Sequence, residues 1–228
     1  MKPKSHSPLT IDDLKTLLNG FESAISILKQ SRDHIDDIIA FIEEAGGISV
    51  RARDTLKTSS GYEGNKARLE ELELRYKGAL SKIDKVVEDS SIKGVNLLKG
   101  ESLFIHFDSN NKKPYEIKGI SLSTKALEFR PPVFISVDAV QNNRIDVMNA
   151  IDIAMTLRHL ISSDLFLLQG REEFSKETMA NLPHDDQSIQ PSLKDEAANL
   201  LALQVRQQLS EDDTHLAKET QRDILSQF

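Results

Sequence analysis

Six histidines, four acidic doublets, an arginine pair and one calcium-like run are the residues of this chain whose types and spacing could support chemistry. The histidines are His6, His34, His106, His159, His184 and His215. They are scattered, and none falls in His-Glu-x-x-His or another metal-ligand spacing. His34 and His159 could face each other across packed helices, but solvated helix positions account for both more simply. The doublets Asp12-Asp13, Asp36-Asp37, Asp185-Asp186 and Asp212-Asp213 have the residue types of paired general acids. N-cap positions and wet helix faces explain them with fewer assumptions. The run DSNNKKPYE, from Asp108, opens like a calcium loop. Lys113 stands where such a loop needs its glycine, and Gly119 stands where the bidentate glutamate belongs, so it is rejected as a metal site. GYEG and GVNLLKG lack phosphate-loop spacing, and no nucleophile elbow surrounds any serine. Arg51 and Arg53, beside Gly46-Gly47, could hold an anion, although a solvated segment after a helix break is the plainer reading. No constellation supports catalysis, a metal or a cofactor, so the chain reads as non-enzymatic.

Composition points the same way. The 228 residues carry a formal net charge of −7, which argues against a nucleic-acid platform. Aromatics make up only 5% and tryptophan is absent. Leu, Ile, Ala, Glu and Lys dominate, as suits long packed helices better than a sandwich or barrel. Cysteine is absent, which excludes disulfides, thiol catalysis and thiolate metal sites. The start, MKPKSHSPLT, has positive charge but no apolar core behind it, so it does not read as a secretory signal. No apolar run approaches the ~18 residues of a membrane span.

The elements that would carry these residues are mostly helices. Residues 1–8 read as a flexible start. A helix is predicted from Thr10 as N-cap, with Asp12 and Asp13 favouring its dipole. Its apolar stripe runs through Leu14, Leu17, Leu18, Phe21, Ile25 and Leu28, and continues through Ile35, Ile38 and Ile42. Gly46-Gly47 predicts a stop or kink, because each glycine costs about 1 kcal/mol inside a helix. A short helix over 50–57 follows, then a turn at TSSGYEG, and then a charged helix over 65–89. SIKGVNLLKGE breaks the helical period. Alternation over 103–107 and 115–122, joined by DSNNKKP, predicts a β-hairpin near 103–122. A long helix is predicted from Asp138 to Met179. PHDDQSIQP reads as a linker, giving a core over 9–182, a linker over 183–192 and a terminal helix over 193–228.

That terminal stretch, from Lys194, reads KDEAANLLALQVRQQLSEDDTHLAKETQRDILSQF. Leu200, Leu201, Val205, Leu209, Leu216, Ile224 and Phe228 follow one another mostly at helical spacing and form a stripe. A helix of this kind uses its stripe on another helix, in coiled-coil fashion or in a groove. These seven residues are the predicted partner or assembly interface.

The string ANLLALQVRQQL, the later Leu216-Ala217 step and the ending ILSQF resemble the carboxy-terminal helix of bacterial flagellins, most of all those of alphaproteobacteria. DLKTLLNGFESAISILKQS and IDDIIAFIEEAGGISVRARD resemble that family's first core helix. SSIKGVNLLKGESLFIHF is similar to its Gly-x-Asn-Leu-Leu step into a hairpin. REEFSKETMANL is similar to the end of its return helix. The matches stand in family order from about Leu9 onward. The resemblance implies a mainly α fold: an elongated helical bundle with a small β-hairpin and a separate C-terminal helix.

Function follows from the same resemblance. It implies a structural subunit of the flagellar filament, or a divergent accessory flagellin, serving motility by packing against other flagellin subunits. A hook–filament junction protein and a flagellin-derived helical adaptor are the alternatives. It also implies signal-independent type III export from the cytoplasm to the extracellular flagellum, and an export chaperone wrapped around the C-terminal helix. Two departures stand out. The usual amino-terminal partner helix has no counterpart here. Charges at Glu211, Asp212, Asp213, Lys218, Glu219, Arg222 and Asp223 replace the family's milder residues, and they would be costly to bury unpaired. Together these predict weak association of the chain by itself.

Overall fold

The computed structural model describes residues 11–107 and 113–180. The predicted flexible start, the Thr10 cap, the hairpin connection over 108–112, the linker and the whole C-terminal stripe from Leu200 to Phe228 lie outside these residues.

Three helices carry the structure: α1 (Ile11–Leu56), α2 (Gly61–Asp89) and α3 (Val137–Ala180). The first acts as the spine, since it packs against both of the others. With 46 residues it extends for about 69 Å at 1.5 Å per residue, so the bundle is elongated. Ion pairs fix the register of its neighbours. Lys176 reaches Glu22 at 3.4 Å and Arg158 reaches Asp36 at 2.5 Å, so α3 runs antiparallel to α1. Lys82 meets Glu44 at 2.8 Å, and Lys93 Nζ donates to Ser23 Oγ at 3.1 Å, so α2 and the turn after it also run back along α1.

Periodicity explains the core. Phe21, Leu28, Ile35, Ile38, Ile42 and Ile48 of α1 are buried against Leu69, Tyr76 and Ile83 of α2 and Val147, Leu157 and Ile161 of α3 within one continuous cluster. Each such side chain contributes about 1.5–3 kcal/mol when removed from water.

That burial overturns one expectation. The predicted break at Gly46-Gly47 is absent, and α1 passes through both glycines without interruption to Leu56. Ala45, Ile48 and Ala52 flank the pair and are fully or almost fully buried. Packing on both sides outweighs the propensity cost of about 1 kcal/mol per glycine. The α2 start is corrected too: GYEG, expected in a turn, is already helical. Asn65 Nδ2 donates to Gly61 O at 2.8 Å and to Thr58 Oγ1 at 2.9 Å, which ties the incoming turn to the first helical turn.

Strands β1 (Ser102–Ile105) and β2 (Tyr115–Lys118) pair antiparallel in the expected hairpin. Leu103 opposes Ile117 on the buried face, whereas Phe104 opposes Glu116 on the outer face. The fold is mainly helical, as predicted.

Candidate assembly surface

Two joints hold the surfaces of this bundle in place. The first forms at GVNLLKG, where the helical period stops. Asn96 is buried there and acts as a hub. Its Nδ2 donates to Val87 O at 2.8 Å, and its Oδ1 accepts from Lys99 N at 3.0 Å and lies 2.9 Å from Ser90 Oγ. Its own backbone N–H goes to Glu101 Oε2 at 2.7 Å. One residue, through side chain and backbone, thus ends α2, shapes the turn and starts the hairpin. Gly119 then crosses so closely that a Cβ would sit 2.2 Å from Leu97 O. Only glycine lets the second strand leave along this path.

The second joint pins the segment between hairpin and α3. Arg130 donates from Nε and from its backbone N–H to the buried carboxylate of Asp146, and Phe134 N donates to Glu73 Oε1 at 2.6 Å. Phe134 packs edge-on against Tyr76 with ring centroids 5.8 Å apart. Burial pushes the Tyr76 hydroxyl above the usual phenol range, and the Asp146 charge adds to the shift. That hydroxyl has no hydrogen-bond partner. The hairpin is tied to α3 where Tyr115 Oη donates to Asp164 at 2.7 Å. Arg171 stacks over Phe107, which also meets Phe21 and Tyr115.

Among the described residues, those singled out for chemistry are not brought together. His34 and His159 are half-buried on α1 and α3 rather than solvated, and His34 Nδ1 is buried without a hydrogen-bond partner. Asp36 pairs with Arg158, while Asp12 and Asp13 occupy the first turn of α1. Asp185-Asp186 and Asp212-Asp213 lie outside the described residues. Among the described residues no group of three or more His, Asp or Glu side chains could hold a metal ion. No described helix is long and apolar enough to cross a membrane. The predicted interface, Leu200, Leu201, Val205, Leu209, Leu216, Ile224 and Phe228, lies entirely outside the described residues.

What the molecule offers instead is long helical flanks. Arg53 pairs with the adjacent Asp54, but Arg51 opens onto a groove of about 710 Å³ that Arg68, Glu71, Leu72 and Arg75 of α2 also line. Burial pushes the Arg144 guanidinium below its usual range, and the positive charge of Arg53 adds to this. Leu74, Val133 and Ile135 are exposed apolar side chains, Leu74 the most at 71%. The sequence signal for these flanks, charges recurring every three or four residues on α2, reads as ordinary solvation until the helix faces are known.

Comparison with solved structures brings this architecture together with one already known. The crystal structure of Bacillus cereus flagellin superposes with a TM-score of 0.56 at 14% identity, covering 74% of this chain and 90% of that one. The fold is flagellin-like. The likeness is one of fold alone, and it supports no alphaproteobacterial type. No protein-family model matches the chain, and no curated protein is significantly similar to it. In this frame α1 is the outgoing helix, and both α2 and α3 run back along it, with the hairpin between them in sequence.

Proposed function

We propose that this chain is a structural subunit of the bacterial flagellar filament, or a divergent accessory flagellin, acting through helix–helix contacts between subunits. The observation that carries the reading is the flagellin-like course of the chain, α1–α2–hairpin–α3, which spans 90% of the Bacillus cereus flagellin structure. A chain of rod-like helices with long exposed flanks is suited to packing side by side. Residues 193–228 would form a separate helix beyond a core over 9–182, with Leu200, Leu201, Val205, Leu209, Leu216, Ile224 and Phe228 as its contact stripe. An export chaperone would hold that stripe in the cytoplasm before signal-independent export to the extracellular filament.

Immunogold electron microscopy of the source cells tests the reading. Label along the filament supports it. Label confined to the filament base would assign the chain to the hook–filament junction, and purely cytosolic label would assign it to an adaptor.

A further inference from the structure

Helix α2 carries two charge triplets of opposite pattern on two different flanks. Arg68, Glu71 and Arg75 stand at positions i, i+3 and i+7, reading plus, minus, plus. Glu63, Lys66 and Glu70 have the same spacing and read minus, plus, minus. All six side chains are exposed, and none makes a hydrogen bond or ion pair among the described residues. At 100° per residue the two triplets lie on flanks about 140° apart, with the second offset from the first by five residues. Leu69, Leu72, Tyr76, Ala79 and Ile83 occupy the buried face on the other side of the helix from the arc between them.

We infer that these flanks bind each other between copies: the Glu63–Lys66–Glu70 flank of one chain docks in the groove of Arg51, Arg68, Glu71 and Arg75 on the next. Parallel helices shifted by five residues, about 7.5 Å, bring Glu63 to Arg68, Lys66 to Glu71 and Glu70 to Arg75. All three pairs are of opposite sign in this single register, and a slip by one turn places like charges together. The partner flank also carries Leu74, next in the i, i+3, i+7, i+11 series and 71% exposed. The same shift brings it to the turn of Gly78, an exposed position where the missing side chain leaves open space. The exposed leucine and the gap at Gly78 thus complete each other across two chains.

The contact joins different surfaces, so it does not close on itself and repeats from copy to copy. It deepens the filament-subunit reading, on which its biological meaning rests. Being made of exposed ion pairs, it is weak singly and sensitive to salt.

The chain has no cysteine, which makes the test clean. Full-length E70C/R75C is mildly oxidised at high protein concentration and low salt. These positions point about 140° apart within one helix, so they form no internal bridge, and a ladder of disulfide-linked multimers is expected. The misregistered control E63C/R75C gives no ladder. Separately, E70K and R75E each weaken self-association about tenfold by light scattering, and the E70K/R75E combination restores it. Association without a register-specific ladder or charge rescue overturns the inference and leaves the filament reading intact. No association of the wild type at any concentration also overturns it. A ladder with charge rescue, combined with absence of label from filaments in cells, sustains the contact while removing the filament reading.

Discussion

Asp146 Oδ2 accepts both the backbone N–H and the Nε–H of Arg130, each at 3.0 Å. Sixteen residues of sequence separate the partners, and the bond fixes the chain's entry into α3. The partners are unequal, with the Asp146 side chain 5% exposed and that of Arg130 50% exposed.

The inequality sets an order of mutational cost. Arg130→Ala strips a buried carboxylate of its counter-charge and should be the costlier of the two changes, although the backbone bond survives. Asp146→Asn leaves a half-exposed guanidinium that water can solvate, and should cost about 1–2 kcal/mol. Urea unfolding of both variants checks the order, and a larger loss for Asp146→Asn would show that the carboxylate does more than hold Arg130.

Tyr76 links stability to alkaline pH. Its hydroxyl is protonated and buried, with its pKa raised by burial first and by the Asp146 charge second. A raised folded-state value means that the contribution is fully present below the unfolded phenol value of about 10 and is lost as pH rises above it. Stability should therefore fall by up to about 1.4 kcal/mol per pH unit above pH 10 from this group. Tyr76→Phe removes that loss. Because the hydroxyl has no partner, the variant should also be about 1 kcal/mol more stable at pH 7. Thermal melts of the two proteins from pH 8 to 11 measure both effects.

Gly47 is exposed within α1, and a Cβ there meets nothing within 4 Å. Gly47→Ala should raise stability by about 1 kcal/mol with no change in helix content, since it removes backbone freedom from the unfolded chain alone. Calorimetry and circular dichroism check the pair of outcomes. A destabilised variant would mean that α1 bends or opens at this point.

The hairpin joint should be intolerant. Asn96→Ala removes the side-chain bonds to Val87 O and Lys99 N, while Ser90 Oγ still reaches Val87 O and Lys99 N still reaches the backbone carbonyl of residue 96, so it should cost about 1–2 kcal/mol. Gly119→Ala drives a methyl group to 2.2 Å from Leu97 O and should cost at least as much, by displacing the second strand. Hydrogen exchange at Leu103 and Ile117 should rise in both variants, while exchange in the middle of α1 changes far less. Equal acceleration throughout would show that hairpin and bundle unfold as one unit.

Much of this protein was legible in the order of its residues. The leucine and isoleucine stripes set three long helices, because a 3.6-residue period admits one buried face. The alternation around DSNNKKP set the hairpin, and Val137–Ala180 agrees with the predicted long helix to within a residue at each end. The GVNLLKG step was legible as a break, though not as a hub, since Asn96 gains its role only when Val87, Lys99 and Glu101 converge on it. Gly46 and Gly47 were misread for the converse reason. Local propensity counts the entropy of two glycines, but only the packed bundle supplies the burial of Ala45, Ile48 and Ala52 that outweighs it. The α2 triplets show the same limit. Spacing alone puts Arg68, Glu71 and Arg75 on one flank and Glu63, Lys66 and Glu70 on another. Which flank borders a groove, and that all six charges go unanswered among the described residues, depends on where α1 lies against α2, and that is a decision of tertiary packing.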